Sequence, residues 1–126
     1  MNAPAPTVLV VEDDKDSREM LCEYLRQNGY NAAEAADGQE ALGQLDEVRN
    51  LCLIVLDLMM PVMNGWQFLA QRRTHNRFGD VPVVILTAHP PRSLESAAVE
   101  VDRVLTKPID LVEILKVVQS YCDRPA

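Results

Sequence analysis

The chain has 126 residues, 48% hydrophobic and 25% charged, with 12 Lys and Arg against 19 Asp and Glu for a formal charge of −7. That length suits one domain of roughly 100–150 residues with its own core, so no disulfide scaffold or structural metal is required and a separate output domain does not fit. The acidic balance argues against a nucleic-acid backbone or an anionic lipid face as the main partner. Cys22, Cys52 and Cys122 are too scattered for a disulfide framework or a CxxC motif, and each lies in an apolar stretch, so buried, reduced thiols are expected. The N-terminal MNAPAPT lacks the basic-then-apolar pattern of a secretory signal. Apolar runs such as Leu51–Leu56 fall far short of the ~20 residues that cross a bilayer. A cytoplasmic protein without a membrane partner is the expectation.

Residues 1–6 are small and Pro-rich and read as a disordered lead. Val8–Val11 is an uninterrupted apolar run, as in a strand buried on both faces, and it stops at Glu12-Asp13-Asp14. Asp14 is the expected N-cap of a helix whose Ser17, Met20/Leu21 and Tyr24/Leu25 recur at helical spacing, with Asn28-Gly29 as its stop. Tyr30–Ala36 reads as a weak, small-residue strand suited to an edge. Asp37-Gly38-Gln39-Glu40 has the form of a capping box, opening a helix that carries Ala41/Leu42, Leu45 and Val48. Leu51–Leu56 is the most apolar strand and ends at Asp57. After the Pro61–Gly65 loop, a third helix carries Trp66, Phe68/Leu69 and Arg72. Pro82–Leu86 forms a fourth strand, ending at Thr87. His89-Pro90-Pro91 cannot lie inside a helix, and Ser93–Val99 is a short helix candidate. Arg103–Leu105 is a short strand running into Thr106-Lys107-Pro108. Asp110 and Glu113 form a second capping box, opening a helix with Leu111, Ile114/Leu115, Val118 and Tyr121/Cys122. The alternation of continuous apolar strands with helices predicts a parallel sheet covered on both faces.

Polar residues collect at the C-terminal ends of those strands: Glu12-Asp13 after the first, Asp57 at the third, Thr87 at the fourth and Lys107 at the fifth. Ligands of open α/β sheets bind at that edge. Three carboxylates there repel one another, and Lys107 alone cannot offset them. One Mg²⁺ plus Lys107 can, and such a site suits phosphoryl transfer. Taken singly, the acids would be a solvated helix start, Thr87 a strand-end hydroxyl and Lys107 a surface cation. His75 and His89 lack the spacing of a zinc site. Met59, Met60 and Met63 suit packing under a loop, and Trp66 suits packing on the third helix.

VLVVEDD (8–14), LDLMMPVMNG (56–65), VVILTA (83–88) and LTKP (105–108) together resemble the receiver domain of two-component response regulators. The resemblance covers about residues 7–122, with 123–126 as a tail. It implies an α/β, flavodoxin-like three-layer sandwich with five helices and a five-stranded parallel sheet of order 2-1-3-4-5. By the same resemblance, Asp57 is the phospho-acceptor. Glu12 and Asp13 hold Mg²⁺, Asp13 directly and Glu12 through water, and the carbonyl of Met59 supplies a further ligand. Thr87 and the N–H of Ala88 contact the incoming phosphoryl group, Lys107 balances charge, and a cis Lys107–Pro108 bond is expected. His89 and Met59 are expected to limit attack by water on the acyl phosphate.

Receivers commonly carry an aromatic residue three positions before the Lys. Here that position is Val104, so an atypical switch is expected, with the face of the fourth helix, fifth strand and fifth helix signalling in a non-standard way. The Thr87–Lys107 interval is also slightly short for the family. The resemblance implies a sensor histidine kinase or histidine phosphotransfer protein as donor, a downstream protein target, and a monomer when unphosphorylated. The rival readings are a phosphorylation-independent interaction module and a Mg²⁺-dependent phosphohydrolase. The latter is disfavoured because Met59 stands where such enzymes often place a second Asp.

Overall fold

The apolar run around Val8–Val11 forms β1, Thr7–Val11, whose five residues are all buried. A computed structural model describes residues 5–45, 47–57, 67, 81–88 and 103–123. In chain order the remaining elements are α1 (Lys15–Gln27), β2 (Asn31–Ala35), α2 (Gly38–Leu45), β3 (Leu51–Asp57), β4 (Val83–Thr87), β5 (Arg103–Thr106) and α3 (Leu111–Cys122). The strands pair in parallel in the order β2-β1-β3-β4-β5, the expected flavodoxin-like arrangement. Of the five predicted helices, the first, second and fifth are α1, α2 and α3. Of the helix placed at Trp66–Arg72 only Gln67 is described, and it is helical; the one placed at Ser93–Val99 lies outside the described residues.

Side chains alternate across the sheet and so divide the core in two. Val8, Val10, Leu53, Val55, Val84 and Leu86 meet Leu21, Cys22 and Leu25 of α1 and Ile114, Val117 and Val118 of α3. On the other face, Leu9, Val11, Ile54, Leu56 and Ile85 meet Ala41 and Leu45 of α2. Small residues suit β2 to an edge, since Ala32 and Ala33 fill opposite faces without demanding a deep core.

Local chemistry sets the helix starts. Asp14 accepts the Ser17 N–H at 2.9 Å, and Asp110 accepts those of Val112 and Glu113 at 3.0 and 3.2 Å. Asp37 accepts from Glu40 N at 2.9 Å, while the Glu40 carboxylate reaches Ala36 N rather than the Asp37 amide. Gly29 takes φ +93° beyond the α1 C-cap, the left-handed conformation that glycine adopts without a Cβ clash.

Four expectations need correction. Met20 is 47% exposed, because α1 rotates so that Leu21, Cys22 and Leu25 form its buried stripe. The lead is engaged from residue 5, with Ala5 O and Pro6 O accepting hydrogen bonds from Asn31. At the other end, Asp123 caps α3 and accepts the Tyr30 hydroxyl at 2.7 Å, so it belongs to the folded unit rather than a tail. The fourth concerns the thiols. Cys52 and Cys122 form a disulfide, their Cα atoms 5.3 Å apart, and Cys22 alone is a free, buried cysteine. The β1–β3 register slips between Thr7 and Val8: Leu51 and Leu53 have partners on β1, whereas Cys52 has none there. That slip places Cys52 and Leu53 on the same side, against the cluster that includes α3 and Cys122. Burial pushes the Cys22 thiol up to about 12, so its proton stays on at neutral pH.

Candidate functional site

The four strand ends converge. Glu12 follows β1, Asp57 ends β3 and Thr87 ends β4, with exposures of 5%, 5% and 1%. Lys107 follows β5, and its amide donates to the Thr87 carbonyl at 2.9 Å, which draws the chain after β5 beside the end of β4. From there its ammonium donates to Glu12 Oε1 at 2.8 Å and to Asp57 Oδ2 at 3.1 Å. The Lys107–Pro108 peptide is cis, as expected.

Two buried carboxylates thus face one cation. Burial, and next the Asp57 carboxylate, raise the Glu12 carboxyl to about 7 against the opposing pull of Lys107. Burial works against the charge on Lys107, but its bonds to Glu12 and Asp57 outweigh that and hold the ammonium above its ordinary value. Asp13 is exposed beside them, and one oxygen from each of Glu12, Asp13 and Asp57 can be chosen so that all lie within 4.8 Å. Glu12 Oε2 is buried and accepts no hydrogen bond from any described group. A buried carboxylate oxygen without a donor, among three clustered acids and one ammonium, suits a hard divalent cation.

The structure therefore brings together Glu12, Asp13, Asp57 and Lys107 and sets Thr87 at the neighbouring strand end. Ala88 is exposed directly after Thr87. Val104 pairs in register with Ile85 and packs, partly buried, against the cluster containing Leu9, Val11 and Ile85. Met59 and His89 lie outside the described residues, as do Met60, Met63, Trp66 and His75.

One contact was missed in the sequence. Arg18 Nη1 donates to the Glu12 carbonyl at 2.9 Å, and its Nε donates to Glu34 at 3.3 Å. The available signal was Glu34 itself, a lone charged residue in an otherwise small or uncharged strand.

A family model described as the response regulator receiver domain matches residues 8–119. The phosphate regulon transcriptional regulatory protein PhoB of Escherichia coli (strain K12) is 38% identical over 125 residues, which cover 95% of this chain and 53% of PhoB. The chain thus spans about half of that relative's length. Among solved structures, chemotaxis protein CheY4 of Vibrio cholerae superposes with a TM-score of 0.86 at 31% identity, covering 93% of this chain and 98% of its own. Response regulator protein TrrA of Thermotoga maritima, solved in complex with Mg²⁺–BeF, gives 0.77 at 29% identity, with 92% and 98% covered.

Proposed function

The chain belongs to the response regulator receiver domain family, and on that premise we propose that Asp57 accepts a phosphoryl group from a sensor histidine kinase or histidine phosphotransfer protein. The observation that carries this reading is the buried Asp57 carboxylate, which shares Lys107 with Glu12 inside a cluster of three acids. An ionised Asp57 oxygen forms a bond to phosphorus as the N–P bond of the donor phosphohistidine breaks, and the bonding pair leaves with the imidazole. Lys107 offsets the charge on Asp57 before the transfer and the charge on the phosphoryl oxygens after it. Glu12, Asp13 and Asp57 could hold Mg²⁺, which when bound offsets charge on the transferring oxygens. The resemblance adds the Met59 carbonyl to that set.

The product replaces one negative charge by roughly two and adds acceptor oxygens. Thr87 and the Ala88 amide then bind them, and a partner protein reads the rearranged surface. The domain acts as a stoichiometric acceptor that slowly dephosphorylates itself, not as a phosphohydrolase. The acidic balance favours a protein over a nucleic acid as its target, and the unphosphorylated form is monomeric. None of the described helices is long and apolar enough to cross a membrane.

Incubation with a small phosphodonor, read by intact mass, tests the acceptor. A Mg²⁺-dependent phosphoryl adduct is expected on the protein and none on Asp57→Asn. Absence of any adduct would instead favour an interaction module that works without phosphorylation.

Val104 makes the switch atypical. Its isopropyl group has no ring to relocate when Thr87 moves, and it packs against a formed cluster. Addition of beryllofluoride should shift the amide resonances of Asp57, Thr87, Ala88 and Lys107 while sparing most of residues 89–105. Large shifts spread throughout 88–106 would show an ordinary aromatic-type rearrangement without the aromatic.

A further inference from the structure

Glu12 lies one residue past β1, where the ladder no longer dictates its backbone. Its amide donates to Ala35 O of β2 at 3.0 Å, and its carbonyl accepts from Arg18 Nη1 at 2.9 Å. Both polar groups of that residue are therefore held, one by the edge strand and one by a side chain of α1. The torsions on either side of that carbonyl decide where the Glu12 and Asp13 side chains point. A carbonyl at this position without a donor would turn toward water and carry Asp13 with it.

Arg18 is itself fixed. Its amide donates to Asp14 O, so it stands one turn into a helix whose start is set by the Asp14 cap. Its Nε donates to Glu34 Oε1 at 3.3 Å, and the other Glu34 oxygen accepts from Arg26 Nη2 at 3.4 Å. Arg26 Nη2 also donates to Ala32 O at 2.9 Å, tying the far end of the group back to β2. The Arg18 side chain is only 15% exposed against 48% for Arg26, so the member nearest the acid pair is the one shielded from water. Register explains the meeting, since Glu34 pairs with Val10 and lies on the face that α1 covers. A guanidinium can donate to the carbonyl and the carboxylate at once from one plane, whereas an ammonium offers no such fork.

We propose that Arg18 is a positioning residue for the cation site: held by Glu34, it clamps the Glu12 carbonyl and so keeps the Glu12–Asp13 acid pair facing Asp57. The proposal rests on the reading of those acids as a divalent-cation site. Arg18 touches neither the cation nor the phosphoryl group, so its effect falls on affinity rather than on the chemical step. Groups that orient metal ligands from behind typically change affinity about 10–100-fold when removed.

The test uses Mn²⁺ as the probe, titrated into the full chain and followed by the electron paramagnetic resonance of free Mn²⁺, alongside the adduct assay at graded Mg²⁺. Arg18→Met should weaken Mn²⁺ binding about tenfold and raise the Mg²⁺ needed for half-maximal phosphorylation equally. The rate at saturating Mg²⁺ should stay within about twofold of the parent. Glu34→Gln, which keeps the shape but removes the charge behind Arg18, should move the same quantities in the same direction by less; it also serves if Arg18→Met does not fold. Arg18→Lys should recover only part of the loss. Folded variants with parental Mn²⁺ affinity, or with an unchanged Mg²⁺ requirement and a slower saturated rate, would overturn the positioning role alone. A parent protein that takes up no Mn²⁺ would overturn it together with the reading beneath it.

Discussion

Reduction of the Cys52–Cys122 bridge lowers the unfolding free energy by roughly 4 kcal/mol, the chain-entropy value for a loop closed across a separation of 70 residues. The bridge joins the second residue of β3 to the last residue of α3, so the closed loop takes in β4 and β5 as well. An unfolded chain with that loop closed has far fewer conformations than an open one. The native geometry supports the same join without the bond, since Tyr30 donates to Asp123 one residue beyond Cys122. Burial, and next the Asp123 carboxylate, raise the Tyr30 phenol to about 12, so that bond persists at neutral pH. Reduction therefore leaves the fold intact at a lower stability. Urea titrations with and without a phosphine reductant should differ in midpoint by about 2 M, given a slope near 2 kcal/mol per M. The Cys52→Ser/Cys122→Ser variant should follow the reduced curve. Denatured, unreduced protein should show one titratable thiol out of the three cysteines. Coincident curves, or three thiols without reductant, would refute the prediction.

The reason this bridge was not legible in the sequence lies in the bulge. Strict alternation along Leu51–Leu56 sends residues 52 and 53 to opposite faces, and only the slip opposite Thr7 turns both toward α3. Such a slip is a compromise between turn and sheet that no local pattern of apolar residues records. The rotation of α1 was hidden for a related reason. Met20/Tyr24 and Leu21/Leu25 are adjacent stripes of one helix, and packing on the sheet, not periodicity, decides which is buried. Arg18 escaped because its partners sit on two other elements, and the register that joins them belongs to the tertiary fold. By contrast, the strand ends were plain. Parallel strands align their C-termini by construction, so a polar residue ending each apolar run must arrive at one edge. That is why Glu12, Asp57, Thr87 and Lys107 are legible in the sequence as one group. The caps at Asp14 and Asp110 were legible because an N-cap depends on neighbours two or three residues away.

In metal-free protein the buried acid pair should make stability fall as pH rises through neutrality, the reverse of the usual behaviour of a paired carboxylate. The Glu12 carboxyl is raised from an ordinary 4.5 to about 7, so the folded state holds that proton more tightly than the unfolded chain does. Its contribution is fully present below about 4.5 and is lost as pH climbs through about 7. A shift of that size corresponds to at most about 3 kcal/mol. Lys107, held above its ordinary value, stays charged throughout the window and cannot produce the effect. Asp14 slopes the opposite way: the bonds from Ser17 hold its carboxyl low, so its contribution is lost in acid. The quantity to measure is therefore the difference between the parent and Glu12→Gln, which cannot titrate at that position. In EDTA, the stability of the parent relative to Glu12→Gln should drop by about 2–3 kcal/mol between pH 5 and pH 7.5. Asp57→Asn removes the neighbouring charge that helps hold the proton on Glu12, so it should narrow the window. Saturating Mg²⁺ should abolish the slope, because the acids that hold the cation must give up their protons to do so. Parallel pH profiles for the parent and Glu12→Gln would mean that Glu12 is ionised in the folded protein across the whole range, with Lys107 alone offsetting both buried carboxylates.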